Sequence, residues 1–258
     1  MKKLCVFDFD GTLVDTIADI GESVNWCLEK MGKPIHELSA YNKMVGNGMN
    51  LLCRRALGDS TEEEVQTLIN MYKIKYQESC CVKTCIYDGV KELLYDLIEA
   101  GIILAIVTNK PQVQTDEIIN KLFDKDMFFE IIGQSDRFPT KPEPDSLNYV
   151  IEKAGVKKED VWYVGDSDVD IILGRNAGVE AIGVEWGLRG KEELVKTGAK
   201  YIAGDANGDE KCDSCAYPLP KPVISELVLK KDCTYTVSHS EKTVIIPAGA
   251  KISDVKGN

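Results

Sequence analysis

No apolar run in this sequence approaches the roughly 20 residues that a membrane-spanning helix needs. Positive charge is also in short supply. Thirty-one Lys and Arg against 42 Asp and Glu leave a net charge of −11, which argues against non-specific binding to nucleic acid or anionic lipid, since both attract basic surfaces. There is no internal repeat and no low-complexity tract. The opening MKKLCVFDFDG has two lysines, but its short apolar stretch runs straight into aspartates, so it reads as a first strand and not as a signal peptide. An even cysteine count is missing too. Nine cysteines, several in predicted core elements (Cys5, Cys27, Cys53), read as reduced thiols of a cytoplasmic protein and not as a disulfide framework. What remains is ordinary: 258 residues, 44% hydrophobic and 28% charged, enough for one large domain or a domain plus a smaller module.

Residues 4–8 are a short apolar run ending in acid, the pattern of a buried strand. From Asp15 to about Gly32, Ile17, Ile20, Val24, Cys27, Leu28 and Met31 fall on one helix face. Further helices are expected at 36–45, 49–57 and 61–79, the last opened by the capping-box pair Thr61 and Glu64. Residues 16–82 therefore read as entirely helical. After Asp88-Gly89 the pattern becomes alternating: strands at 102–108, 129–132, 161–165 and 180–184, with helices between them. That alternation implies an α/β fold, a doubly wound parallel sheet with helices on both faces. The helical block is then an α-helical cap, 16–82, inserted after the first strand of a Rossmann-like core made of 1–15 and 83–204. Beyond about Ala203 turn residues and prolines give way to short strand patterns, so 205–258 reads as a separate C-terminal extension, β-rich or partly flexible.

In such sheets ligands bind beyond the carboxyl ends of the strands. There this chain carries Asp8, followed by Asp10 and Gly11; Thr108 and Asn109; and Asp166, followed by Asp168 and Asp170. Lys141 precedes the helix before the strand that ends at Gly165. Phosphoryl transfer fits this set. Asp8 can attack phosphorus as a carboxylate nucleophile, and Asp10 can protonate the leaving alcohol and later deprotonate water. Acids this close would repel one another and a phosphate dianion, a conflict that a hard divalent cation such as magnesium removes. Lys141, Thr108 and backbone amides around 9–11 can hold the phosphoryl oxygens. Singly, each feature is commonplace, a cap, a turn or a solvated lysine; their order and their places at strand ends make the pattern.

DFDGTLVD, VTNKP, KPEP and GDSDVDI, in that order, resemble the four motifs of the haloacid dehalogenase-like hydrolases over residues 4 to about 203. The resemblance implies a sheet in the order 5-4-1-2-3, Asp8 as nucleophile and Asp10 as acid/base. It also implies Mg2+ held by the Asp8 carboxylate, the Asp10 carbonyl and Asp166, with Asp170 in support. Residues 44–58 (MVGNGMNLLCRRALG), with VTNKP and KPEPDSL, are similar to phosphoglycolate phosphatases. In that likeness Gly46, Asn47 and Gly48 form a specificity loop, and Arg55 is expected to pair with a substrate carboxylate. The expected activity is hydrolysis of a small phosphate, 2-phosphoglycolate foremost, by a monomer or homodimer. A pyrophosphatase or sugar-phosphate phosphatase of the same fold is the alternative, and a non-catalytic phosphate-sensing protein is the reading from another class. One departure is the second hinge, IYDGV, where relatives carry a proline before the glycine. In the extension, Asp205, Asn207, Asp209 and Asp213 resemble a degraded calcium loop, and Cys212, Cys215, Cys233 and His239 could supply four zinc ligands. The plainer reading is an Asp/Gly-rich connector with unremarkable thiols.

Overall fold

The computed structural model describes residues 2–204, 206, 233–236 and 243–246. The continuous apolar runs become its inner strands. β1 (Leu4–Phe7) is buried along its whole length and lies between β4 (Ile103–Pro111) and β6 (Val161–Gly165), parallel to both. β5 (Glu130–Gln134) extends the sheet beyond β4. On the other side β7 (Glu180–Val184) and then β8 (Tyr201–Ala203) follow β6, giving six strands in the order β5-β4-β1-β6-β7-β8. Side chains alternate faces along a strand. Cys5 and Phe7 accordingly join a core with α4 (Val90–Glu99) and α5 (Gln112–Leu122), whereas Leu4 and Val6 join one with α6 (Asp145–Ala154) and α7 (Asp168–Ala177). An eighth helix, Gly190–Thr197, packs against β7.

Between Ile17 and Ser79 the described chain contains only helices. These are α1 (Ile17–Lys30), a 3-10 turn at Leu38–Lys43, α2 (Met49–Leu57) and α3 (Glu62–Ser79). The Thr61 amide donates to Glu64 Oε2 at 2.9 Å and the Glu64 amide to Thr61 Oγ1 at 3.2 Å, so the capping box forms as the sequence predicts. One feature differs from the sequence reading. The chain leaves and re-enters the sheet region through a two-stranded antiparallel ribbon, β2 (Val14–Asp15) with β3 (Cys85–Ile86). Two residues a strand carry no readable alternation, which is why the pattern missed it. Asp15 sits on this ribbon and accepts the Ile17 amide at 3.1 Å, an opening contact for α1.

In the extension β9 (Cys233–Thr236) pairs antiparallel with β10 (Thr243–Ile246). Asp205, Asn207, Asp209 and Asp213 of the calcium-loop pattern, and Cys212, Cys215 and His239 of the zinc set, lie outside the described residues. No described helix is long and apolar enough to cross a membrane.

Candidate active site

The register that pairs Phe7 with both Ile106 and Val164 brings the ends of β1 and β6 beside Thr108, near the end of β4. Asp8 follows Phe7 and donates its amide to Val164 O at 2.8 Å, while Thr108 and Asp166 stand two residues beyond Ile106 and Val164. Past Asp10 the chain turns at Gly11, whose φ is +82°. A Cβ there would lie 2.5 Å from Asp166 Oδ2, so both conformation and space demand glycine.

Lys141 is buried at the centre. Its Nζ lies 2.7 Å from Asp170 Oδ1, 2.9 Å from the Tyr163 hydroxyl and 2.8 Å from Asp8 Oδ1. The last contact is an ion pair that partners the buried Asp8 carboxylate. Asp170 Oδ2 accepts from the Ser167 amide and hydroxyl at 3.0 and 2.7 Å, so this carboxylate is held on both sides. Asp166 accepts from the Leu188 amide at 2.8 Å and from Thr12 Oγ1 at 3.3 Å. Oxygens of Asp8, Asp166 and Asp170 all lie within 4.8 Å of one another.

Burial pushes the Asp8 carboxyl up to about 6, opposed by the charge of Lys141 and reinforced by Asp170. Asp166 is pushed well above the carboxylate range by burial and by the charges of Asp170 and Asp8. Burial alone would lower Lys141, but Asp170 and Asp8 outweigh it and the net direction is upward. Three crowded, buried carboxylates form a hard-oxygen donor set that suits magnesium.

Asp10 lies at the rim of this cluster. Its Oδ1 accepts from Lys110 Nζ at 2.9 Å and from Thr16 Oγ1 at 2.8 Å, and Lys110 donates onward to the Tyr76 hydroxyl at 2.7 Å. A cavity of about 40 Å³ adjoins these groups, bounded by Asp8, Asp10, Thr108, Asn109 and Lys110 from the sheet. Val45, Gly46, Gly48, Met49, Tyr72 and Tyr76 bound it from the helical insertion. A space this size holds only a few waters. The insertion is drawn down over it. Asn109 Nδ2 donates to Gly46 O at 3.0 Å, and Arg189 donates to Val45 O at 2.9 Å.

Asp8, Asp10, Thr108, Asn109, Gly46 and Gly48 thus meet at one cavity, with Lys141, Asp166 and Asp170 behind Asp8. Gly11 underlies Asp166 and does not line the cavity. Arg55 and Asn47 do not line it either. The Arg55 guanidinium donates to Met44 O and Asn47 Oδ1, both at 2.8 Å, because its own loop offers acceptors within reach. It fastens the loop. Sequence reasoning missed Lys110, Tyr76, Thr16 and Arg189. Lys110 stood inside VTNKP, but nothing local reveals its partners. Tyr72 and Tyr76, ring centroids 5.2 Å apart, have the four-residue spacing of ordinary helix core.

The family model for haloacid dehalogenase-like hydrolases matches residues 5–184. A phosphoglycolate phosphatase of Haemophilus influenzae is 35% identical over 211 residues, covering 79% of this chain and 94% of that protein. One of Colwellia psychrerythraea is 32% identical over 207 residues, covering 78% and 92%. Among solved structures, a predicted phosphoglycolate phosphatase from Haemophilus somnus superposes with a TM-score of 0.75 at 29% identity, covering 80% of this chain and 95% of that one. With its sheet, its strand-end acids and the buried lysine arranged as described, the chain belongs to the haloacid dehalogenase-like hydrolases.

Proposed function

We propose that this phosphatase hydrolyses 2-phosphoglycolate, or a phosphomonoester of similar size, through a phosphoryl group carried on Asp8. The observation that carries the reading is the Asp8 carboxylate itself: buried, ion-paired at Oδ1 with a lysine ammonium, and facing a cavity whose rim holds a second acid. An Asp8 oxygen attacks phosphorus while the bond to the leaving oxygen breaks. Asp10 gives that oxygen a proton. Asp10 then takes a proton from the water that cleaves the acyl phosphate and regenerates Asp8. Lys141 and the Thr108 hydroxyl hold phosphoryl oxygens against the strand ends. Asp8, Asp166 and the Asp10 carbonyl would hold Mg2+, with Asp170 in support; when bound, the ion offsets the negative charge shared by carboxylates and phosphate.

The choice of substrate rests on the relatives named phosphoglycolate phosphatase, to which the chain is 32% and 35% identical. With Arg55 engaged in its own loop, Lys110 is the cavity cation available to a substrate carboxylate. Residues 1–15 and 83–204 act as the hydrolase core and 16–82 as a lid that excludes water. Six free thiols among the described residues suit a reducing, cytoplasmic setting.

Phosphate release is to be measured with and without magnesium on phosphoglycolate, pyrophosphate, hexose phosphates and para-nitrophenyl phosphate. The expected result is magnesium-dependent hydrolysis with the highest kcat/KM on phosphoglycolate, lost by about a thousandfold or more in Asp8→Asn. Turnover surviving in Asp8→Asn would exclude the carboxylate nucleophile. Pyrophosphate or a hexose phosphate leading the panel would exclude the substrate reading while leaving the mechanism intact.

A further inference from the structure

A second group of ligating atoms lies away from the strand-end acids, where the helical insertion meets the sheet domain. Cys80 and Cys81 follow the last turn of α3, and Glu117 projects from α5. The two Sγ atoms are 3.7 Å apart, and a Glu117 oxygen lies within 4.8 Å of both. None of the three enters the phosphoryl-transfer scheme. We infer that Cys80, Cys81 and Glu117 form a site for a thiophilic divalent cation of the zinc class, clasping the end of α3 to α5.

Zinc binds thiolate sulfur at about 2.3 Å in tetrahedral geometry, so two sulfurs on one ion stand about 3.8 Å apart. The Cys80–Cys81 separation already meets that spacing. A disulfide would need the sulfurs to close to about 2.05 Å between adjacent residues. Cys80 is buried, whereas Cys81 and Glu117 are half-buried, so an ion would have protein on one side and a solvent position on the other. Binding breaks two S–H bonds and forms two metal–sulfur bonds, with both protons passing to solvent.

The surroundings already hold the ligands together across the junction. Gln77 on α3 donates to Glu117, Gln114 on α5 donates to Gln77 at 2.8 Å, and Lys121 donates to Cys81 O at 2.7 Å. Little reorganisation is therefore left for the ion to drive. The clasp has a mechanical consequence. α3 carries Tyr72 and Tyr76 into the cavity, and α5 begins two residues after Lys110, so a bound ion would restrain the lid where it meets the catalytic edge.

The test is a cobalt titration of the reduced, chelator-stripped full-length protein, with magnesium in excess to occupy the carboxylate centre. Thiolate-bound cobalt has a near-ultraviolet sulfur-to-metal charge-transfer absorption that a carboxylate site lacks. The wild type is expected to take up one equivalent with this absorption and to lose it when zinc is added. Cys81→Ser, at a half-buried position, should abolish or halve the absorption while leaving magnesium-dependent phosphatase activity in place. Glu117→Gln should keep the absorption but weaken cobalt binding by about tenfold or more. Cys212→Ser/Cys215→Ser separates this site from the cysteines of the extension and should behave as wild type. An absorption absent from the wild type, unchanged in Cys81→Ser, or lost in Cys212→Ser/Cys215→Ser would overturn the inference.

Discussion

A methyl group on Gly11 would collide with the Asp166 carboxylate, and the same residue holds a φ that side chains resist. Gly11→Ala is therefore expected to displace Asp166 while leaving the sheet intact. Magnesium affinity, read by calorimetry, should fall at least about tenfold, with far-ultraviolet circular dichroism unchanged; wild-type affinity would refute the packing argument. Lys110 poses a different question, because its ammonium bridges Asp10 and Tyr76 and also lines the cavity. Loss of this charge should slow every substrate somewhat through Asp10. It should also cost a carboxylated substrate an additional charge-assisted contact, about 10- to 100-fold in kcat/KM. For Lys110→Met the informative quantity is the ratio of phosphoglycolate to ethyl phosphate. An unchanged ratio would leave Lys110 as a positioning residue for Asp10 alone.

The helical insertion is tied to the rest of the chain by contacts that no local pattern announces. Asp19 of α1 is buried, and its carboxylate receives the Lys83 amide at 2.9 Å, the Thr84 amide at 2.8 Å and the Thr84 hydroxyl at 2.8 Å. Asp19→Ala would strip those donors of their acceptor where water is scarce, at a cost of about 3 kcal/mol. Urea unfolding followed by fluorescence checks this; a change below about 1 kcal/mol would mean that water or local relaxation replaces the carboxylate. Asp19 also shows why legibility was uneven. The Thr61–Glu64 capping box joins residues three positions apart, and the strand runs are contiguous, so the sequence exposes both. Asp19 and Thr84 are 65 residues apart, Asp10 and Lys110 are 100, and Val45 and Arg189 are 144. Asp8, Thr108 and Asp166 are also far apart in sequence, but parallel neighbouring strands bring them to one edge, so topology substitutes for local spacing. Arg55 lacked such a guide, and its direction was set by acceptors in its own loop.

At the scale of the whole molecule, a chain of net charge −11 concentrates three carboxylates around a single buried lysine. Burial and mutual charge hold two of them, Asp8 and Asp166, above the ordinary carboxylate range. Asp8, pushed by burial to about 6, stays protonated in the folded protein at pH values where an unfolded aspartate, near 3.9, has ionised. The folded state then binds more protons than the unfolded one, so Asp8's contribution to stability is present below about pH 4 and is lost as pH rises through about 6. Asp166, raised further in the same direction, adds to the effect at higher pH. Magnesium requires the ionised forms, so its binding competes with these protons and must strengthen with pH. The rise in Tm produced by saturating magnesium should therefore be small near about pH 5 and grow through about pH 7. Calorimetry in buffers of different ionisation enthalpy should register net proton release on binding near about pH 6. A magnesium-induced shift in Tm that stays level across this range, with no proton release, would mean that the carboxylates are already ionised in the metal-free protein and that Lys141 alone balances them.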